Sequence, residues 1–205
     1  MYFCNIHPGM NIEKTILSRK HKMFAVLVDP DKYNRQDLSH VIHTAAESHT
    51  DFILVGGSLL TKNRLGDTIA LIREITQIPV ILFPGGIMQI HDQADAILLL
   101  SLISGRNPDL LIGKHVEAAP YLKSSKLEIL PTGYMLIESG SMTTAQYISN
   151  TPPIPRIKED IAACTAMAGE MLGLRLIYMD AGSGASLPIP PGMIKKVKES
   201  ISVPL

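Results

Sequence analysis

The chain has 205 residues, of which 46% are hydrophobic and 19% are charged, and its formal net charge is zero. This length and composition are typical of a folded α/β protein and exclude a disordered chain, so we expect residues 1–205 to form a single domain. The neutral balance argues against a protein that binds nucleic acid by neutralising its phosphates, although one loop can still hold a small anion.

The ends and the cysteines of the chain indicate the compartment. Cys4 and Cys164 lie far apart without CxxC spacing, so neither a disulfide framework nor a zinc site is expected. His7 and Pro8 stand where a secretion signal needs an unbroken apolar run. The most apolar run, residues 96–103, is far below the roughly 20 residues that span a bilayer. We therefore expect a cytoplasmic protein without a transmembrane segment.

Short apolar runs predict strands at six places along the chain. In chain order they fall at residues 23–28, 52–55, 80–83, 96–100, within 127–137 and at 174–179, and one more begins at residue 203. None alternates regularly between apolar and polar residues, which is typical of parallel strands covered by helices on both faces. Helical spacing between the runs predicts amphipathic helices. Two of their apolar faces consist of Leu38, Val41, Ile42 and Ala45, and of Ile161, Cys164, Thr165 and Ala168.

The strand–helix order repeats at least six times, which leaves a (β/α)8 TIM-type barrel or an open doubly wound sheet. No GxGxxG follows the first strand, and this weakens the dinucleotide-binding form of the open sheet. We predict an α/β fold of the TIM-barrel type. Because a full barrel takes about 250 residues, most of strands 7 and 8 should be missing from residues 1–205. The natural protein is then expected to be longer, or this chain to be impaired.

Polar and glycine-rich turns follow several predicted strands directly, on the rim where barrel enzymes place their sites. Asp29 opens the first of them. A carboxylate there is costly to desolvate without a partner, and Mg²⁺ with substrate phosphates is a suitable one, although Asp-Pro also starts ordinary turns. Asp31 is expected to hold the loop or to cap the next helix. Lys32 is expected either to meet an anionic substrate or to be solvated.

The turn after the second strand is Gly56-Gly57-Ser58. Gly57 has no side chain, so a substrate can approach the backbone closely. The Ser58 hydroxyl can join a metal shell or contact a phosphate, and the alternative is an N-cap for the following helix.

The strongest local pattern is Asp180-Ala181-Gly182-Ser183-Gly184-Ala185, after the sixth strand. Its small residues can turn their N–H groups toward a phosphate, whereas Asp180 suits a hydroxyl that must be oriented or deprotonated. Tyr178 points to the same side of the strand as Asp180. The alternative is a glycine-rich β-to-α turn with a capping aspartate.

At these residues the chain resembles the geranylgeranylglyceryl phosphate synthase family, which includes bacterial heptaprenylglyceryl phosphate synthases. The matching elements, in order, are Asp29-Pro30-Asp31-Lys32, Gly56-Gly57-Ser58, Phe83-Pro84-Gly85, Asn107-Pro108, Leu111-Ile112-Gly113, Pro131-Thr132-Gly133-Tyr134 and residues 178–185. The resemblance implies a barrel that joins a polyprenyl diphosphate, with geranylgeranyl expected, to sn-glycerol 1-phosphate through an ether bond with Mg²⁺. It also implies a homodimer or higher homo-oligomer and at most a transient contact with a membrane surface.

Roles carried over by position divide the site residues into two groups. Asp29 and Ser58 would bind Mg²⁺, and Gly57 and Lys32 would contact substrate. Glycerol phosphate would be bound by Tyr178, Met179, Asp180, Ala181, Gly182, Ser183 and Gly184, with Tyr178 and Asp180 catalytic. Asp180 stands where the family commonly has Glu, so its carboxylate is one methylene shorter. Two alternatives stay open: a sugar-phosphate isomerase or aldolase, and a non-catalytic phosphate-binding remnant of a barrel.

Overall fold

The computed structural model describes residues 11–19 and 21–205, so predictions that concern Cys4 or the first ten residues lie outside it. Strands alternate with helices along these residues. The strands are β1 (Ala25–Val28), β2 (Phe52–Val55), β3 (Val80–Leu82), β4 (Ala96–Leu102), β5 (Glu128–Leu136) and β6 (Leu176–Asp180). The helices are α1 (Ile12–Ser18), α2 (Arg35–Glu47), α3 (Leu65–Ile75), α4 (Lys114–Ser124), α5 (Thr144–Ser149), α6 (Glu159–Met171) and α7 (Pro191–Ser200). A 3-10 helix occupies Ile87–Gln89, and a π-helical turn occupies Asp109–Gly113.

This order confirms the predicted α/β fold of the TIM-barrel type. Each strand begins and ends within two residues of the predicted run. Residues 11–19 and 21–205 contain no seventh or eighth strand, as expected. One backbone hydrogen bond, from Ile177 N to Pro204 O at 2.9 Å, ties β6 to the last residues of the chain.

The chain folds as two compact units. Unit 1 runs to Leu98 and includes Pro120–Ile129, whereas unit 2 contains Leu99–Ala119 and Leu130–Leu205. The single domain over residues 1–205 stays a prediction.

Parallel strands form the centre of unit 1. β1 pairs with β2, β2 with β3, and β3 with the start of β4, where Ile81 is opposite Ala96. β2 and β3 are buried throughout, as a continuous apolar run predicts. β1 differs, because Leu27 is 45% exposed and only Val28 is fully buried. In the part of the chain that is described, β1 has β2 as its one partner strand, which makes it an edge.

In unit 2, β5 and β6 pair in parallel, with Tyr134 opposite Tyr178 and Leu136 opposite Asp180. This register places three polar or aromatic side chains, those of Tyr134, Tyr178 and Asp180, on two adjacent strands. Beneath them lies a core cluster of Met135, Ile137, Ile154, Ala162, Ala166, Ile177, Met193, Val197 and Ile201.

The predicted buried face of α6 is wrong. Ile161 is 45% exposed, and Cys164 and Ala168 are also exposed. The buried residues are the small ones on the other side of the helix, Ala162, Ala163, Ala166 and Gly169. A Cβ on Gly169 would lie 2.7 Å from the Cδ1 of Ile103, so close packing on this side excludes larger side chains. The predicted face of α2 is confirmed at Leu38, Ile42 and Ala45.

No helix in the described ranges combines the length and the apolar character that a bilayer crossing requires.

Candidate active site

Asp29 follows the last residue of β1, and its carboxylate faces a cation. Its Oδ2 lies 3.6 Å from Lys32 Nζ, and its Oδ1 accepts a hydrogen bond from Asp31 N at 3.0 Å. The Asp29 side chain is 22% exposed, whereas that of Lys32 is 58% exposed. The turn is closed by Lys32 N, which donates to Asp29 O at 3.1 Å. The structure therefore pairs Lys32 with Asp29 and leaves the Lys32 chain largely in solvent.

Asp31 holds the loop, which is one of the two roles expected for it. Its Oδ2 accepts from Thr61 N at 2.6 Å and from Thr61 Oγ1 at 2.9 Å. The Thr61 N–H group is the main cause that lowers the pKa of the Asp31 carboxyl below 3.8. Asn34, not Asp31, caps α2, because its side chain accepts from Asp37 N. Asp31 thus joins the turn after β1 to the segment that follows β2.

Gly57 lies against the Asp29 carboxylate. A Cβ on Gly57 would lie 3.4 Å from both Cγ and Oδ2 of Asp29. Its backbone is turned to Gln89, whose Oε1 accepts from Gly57 N at 3.2 Å and whose Nε2 donates to Gly57 O at 2.8 Å. The N–H and carbonyl groups of Gly57 are therefore already paired, and its Cα side faces Asp29 and Leu60.

Ser58 does not cap a helix. The next helix, α3, begins at Leu65, and its N-cap Arg64 makes no side-chain capping bond. Ser58 is partly exposed, and the structure gives its hydroxyl no hydrogen-bond partner among the described residues. Helix capping is thus excluded as the role of Ser58. Its contact with a metal or a phosphate stays a prediction.

The oxygens of Asp29 and Ser58 suit Mg²⁺. This ion takes one or two carboxylates together with waters and substrate phosphates, and it rarely sits in an all-protein cage. Within residues 11–19 and 21–205, no group of three or more His, Cys, Asp or Glu side chains is arranged to hold a metal. The Mg²⁺ site stays a prediction.

Asp180, the last residue of β6, is held by two donors from unit 2. Tyr134 OH donates to Asp180 Oδ2 at 2.6 Å, and Gly182 N donates to Oδ1 at 2.7 Å. Asp180 does not cap a helix, since the next one begins only at Pro191. Tyr134 was not among the predicted site residues, although it belongs to the motif Pro131-Thr132-Gly133-Tyr134. Its role follows from the register between β5 and β6, which cannot be read from the sequence alone.

Tyr178 lies on the same side of β6 as Asp180, as predicted, and its ring stacks on that of Tyr134. The ring centroids are 6.1 Å apart, with planes 17° from parallel. Burial, and after it the negative charge of Asp180, raises the pKa of Tyr178 to about 12. The same two causes raise the pKa of Tyr134 further, together with its hydrogen bond to Asp180. Both phenols therefore stay protonated near neutral pH.

The loop after Asp180 needs glycine at two positions. Gly182 and Gly184 have φ of +90° and +82°, which favour glycine. A Cβ on Gly182 would also lie 2.5 Å from Thr143 Oγ1. Because Gly182 N donates to Asp180, one N–H of the predicted anion nest is already in use.

The remaining members of this predicted group are placed differently. Ala181 is half-buried, and Ser183 and Gly184 are exposed. Met179 packs against the core cluster of unit 2, on the opposite side of the strand from Tyr178. Unit 1 thus brings together Asp29, Gly57 and Lys32, and unit 2 brings together Tyr178, Asp180 and Gly182.

Comparisons with known proteins identify the family. The model of the PcrB family matches residues 15–203. The geranylgeranylglyceryl phosphate synthases of Spirosoma linguale and Chitinophaga pinensis are 57% and 52% identical over 184 residues each, which is 90% of this chain and 74% and 73% of theirs.

A solved structure agrees with these matches. It is the (S)-3-O-geranylgeranylglyceryl phosphate synthase of Thermoplasma acidophilum in complex with its substrate sn-glycerol-1-phosphate. It is 32% identical, with a TM-score of 0.88 over 96% of this chain and 80% of that one. The predicted family and the predicted enzyme class, a prenyltransferase, are confirmed: the chain belongs to the PcrB family.

Proposed function

We propose that this enzyme transfers a polyprenyl group, with geranylgeranyl expected, from its diphosphate to sn-glycerol 1-phosphate and forms an ether bond. The observation that carries this proposal is the Asp180 carboxylate, fixed by Tyr134 and Gly182 at the end of β6. The solved relative with sn-glycerol-1-phosphate and the curated relatives support the substrate class.

Asp180 handles the proton of the attacking hydroxyl. Each of its carboxylate oxygens already accepts one hydrogen bond and has a further lone pair for the glycerol O–H. The hydroxyl oxygen attacks C1 of the allylic chain and forms the C–O ether bond. The bond from C1 to the diphosphate oxygen breaks, the electron pair leaves with the diphosphate, and the proton passes to Asp180.

Asp29 and Ser58 are the residues that would hold Mg²⁺. When bound, the ion neutralises the charge that develops on the leaving diphosphate. Gly57 brings no side chain to the neighbourhood of Asp29, so its backbone can approach the phosphate oxygens closely. Lys32 lies near Asp29 on a mostly exposed side chain, and its ammonium group can turn toward the diphosphate.

Tyr178, Asp180 and residues 181–184 bind the glycerol phosphate in this proposal, whereas the Met179 side chain packs into the core of unit 2. The phenols of Tyr178 and Tyr134 are neutral donors at physiological pH, so they stabilise an oxygen without adding charge. The glycine backbone at 182 and 184 keeps side chains out of the loop, which allows a phosphate to approach.

The wider setting follows from this assignment. The product would be an ether-linked precursor for phospholipid synthesis. We expect the enzyme in the cytoplasm, as a homodimer or higher homo-oligomer, with at most transient contact with a membrane surface.

The alternatives have less support. The relatives that cover nine-tenths of the chain are named synthases, which favours a prenyltransferase over a sugar-phosphate isomerase or aldolase and over a non-catalytic remnant.

A radiolabel assay tests the function. The full-length protein is mixed with labelled sn-glycerol 1-phosphate, geranylgeranyl diphosphate and Mg²⁺, and the organic phase is counted. Label should enter that phase in proportion to released diphosphate, and it should resist mild alkali because an ether, not an ester, is formed. If the label stayed in the aqueous phase at every enzyme concentration, the proposal would be contradicted. Competition between prenyl diphosphates of different chain lengths would identify the preferred donor.

A further inference from the structure

Gln89 is a buried amide with an unusual pair of contacts. It is 5% exposed, at the end of the 3-10 helix that follows β3. A buried amide is costly unless its donor and acceptor are both paired. Here both bonds go to one residue: Gln89 Nε2 donates to Gly57 O at 2.8 Å, and Gln89 Oε1 accepts from Gly57 N at 3.2 Å. Sequence reasoning did not identify this residue.

These two bonds set the orientation of Gly57. Both of its backbone polar groups point to Gln89, and its Cα side faces Asp29, whose Oδ2 lies 3.4 Å from the position a Cβ would take. Glycine rotates about its backbone bonds more freely than any other residue. Without Gln89, the Gly57 carbonyl could turn toward the Asp29 side and present a second negative oxygen to a diphosphate.

The turn after β3 supports the same arrangement. A Cβ on Gly85 would collide with Gly57 O and would lie 2.6 Å from Ser58 O, so the two turns pack backbone against backbone. Gln89 is the side chain that links them by hydrogen bonds.

We propose that Gln89 is a positioning residue for the diphosphate, acting through Gly57 to keep the Gly57 carbonyl turned away from the Asp29 carboxylate. This inference rests on the proposed function. It concerns diphosphate binding and not the glycerol phosphate.

The test compares two substitutions with a control in the same turn. Gln89→Met keeps length and volume but removes both hydrogen bonds, whereas Gln89→Glu can accept from Gly57 N but cannot donate to Gly57 O when ionised. Met88→Leu is the control, because Met88 is 89% exposed. The measurements are KM for geranylgeranyl diphosphate, KM for sn-glycerol 1-phosphate, and Kd for inorganic pyrophosphate with Mg²⁺ by calorimetry.

Both Gln89 variants should raise the KM for geranylgeranyl diphosphate and the pyrophosphate Kd about tenfold, the loss expected for one net hydrogen bond. KM for sn-glycerol 1-phosphate should stay within about twofold on the same reasoning, and Met88→Leu should match the wild type. If Gln89→Met does not fold, Gln89→Glu alone decides.

Two results would overturn the inference: folded variants with unchanged pyrophosphate binding, or equal losses for both substrates. Failure of the proposed function looks different, because the wild type itself would then form no prenyl ether.

Discussion

Each unit has an aspartate at the end of a parallel strand: Asp29 directly follows β1, and Asp180 is the last residue of β6. The surroundings of the two carboxylates differ. Asp29 in unit 1 has an ammonium group 3.6 Å away and a glycine, Gly57, against its carboxylate. Asp180 in unit 2 receives a phenol O–H at 2.6 Å and a backbone N–H at 2.7 Å, and its neighbours are two stacked tyrosines.

The difference shows that the neighbours decide what a carboxylate can do. A cation beside Asp29 is exchangeable for another cation, which suits Mg²⁺ and a diphosphate. Neutral donors on Asp180 hold the carboxylate in one orientation without neutralising it, which suits a base for a hydroxyl. Substitutions that exchange these properties test the division.

The largest effect is expected for Asp29→Ala. Loss of the proposed metal ligand should lower kcat/KM about 10³-fold, because several kcal/mol of charge stabilisation would be lost. Steady-state assays across Mg²⁺ concentrations measure it. Asp92→Ala, at an exposed position of unit 1, is the control and should be silent. Activity of Asp29→Ala equal to that of the control would remove Asp29 from the site.

Asp180→Asn comes next. It keeps the shape of the side chain and removes the base, so kcat should fall about 10²- to 10³-fold, the usual range for a general base. Asp180→Glu should retain more activity than Asp180→Asn, since it restores a carboxylate. Asp160→Asn, on the exposed first turn of α6, is the matched control. An Asn variant as active as the Glu variant would show that the base lies elsewhere.

Tyr134→Phe should lower kcat about tenfold and destabilise the fold by about 2 kcal/mol, because a buried hydrogen bond to a charged group is lost. Turnover and urea unfolding measure the two effects. Tyr147→Phe is the control, since Tyr147 is 74% exposed. If Tyr134→Phe loses stability but keeps full turnover, the hydroxyl supports the fold and not the reaction.

Alkaline pH should weaken unit 2 through its tyrosines. The pKa of Tyr178 is raised to about 12 in the folded protein, whereas an unfolded tyrosine has a pKa of about 10. The stabilising contribution is therefore complete below pH 10 and is lost as the pH rises from about 10 to 12. Thermal unfolding in this window measures the slope, which Tyr178→Phe should reduce. If stability fell with pH as steeply in Tyr178→Phe as in the wild type, the raised pKa of Tyr178 would be contradicted.

The smallest effect concerns Asp31, which supports the turn around Asp29. Thr61→Val removes the hydroxyl donor and keeps the N–H donor, so the pKa of Asp31 should rise but stay below 3.8. The stability linked to this group is present above pH 3.8 and is lost as the pH falls. Carboxyl NMR titration measures the pKa. No change in Thr61→Val would leave the backbone N–H as the one important donor.

Continuous apolar character made the strands predictable. β2 and β3 are buried along their whole length, and their boundaries coincide closely with the apolar runs. The buried face of α6 was not predictable in the same way, because hydrophobicity favoured Ile161 whereas close packing selects Ala162, Ala166 and Gly169.

In the candidate site, the sequence singles out residues that carry their own signal but not residues that act through a partner. Asp29 directly follows a strand and Asp180 opens a glycine-rich turn, so position marked both as candidates. Tyr134 reaches Asp180 through the register of β5 and β6, and Gln89 reaches Gly57 across 32 residues of chain. Such contacts exist only after the chain has folded.

The division between the two aspartates is tested most directly by binding the two ligands separately. Calorimetry with Mg²⁺ and inorganic pyrophosphate, and with sn-glycerol 1-phosphate, is carried out on the wild type, Asp29→Ala and Asp180→Asn. We predict that Asp29→Ala loses pyrophosphate binding and keeps glycerol phosphate binding, and that Asp180→Asn does the reverse. Loss of both ligands in either folded variant, or of neither in both, would contradict the account.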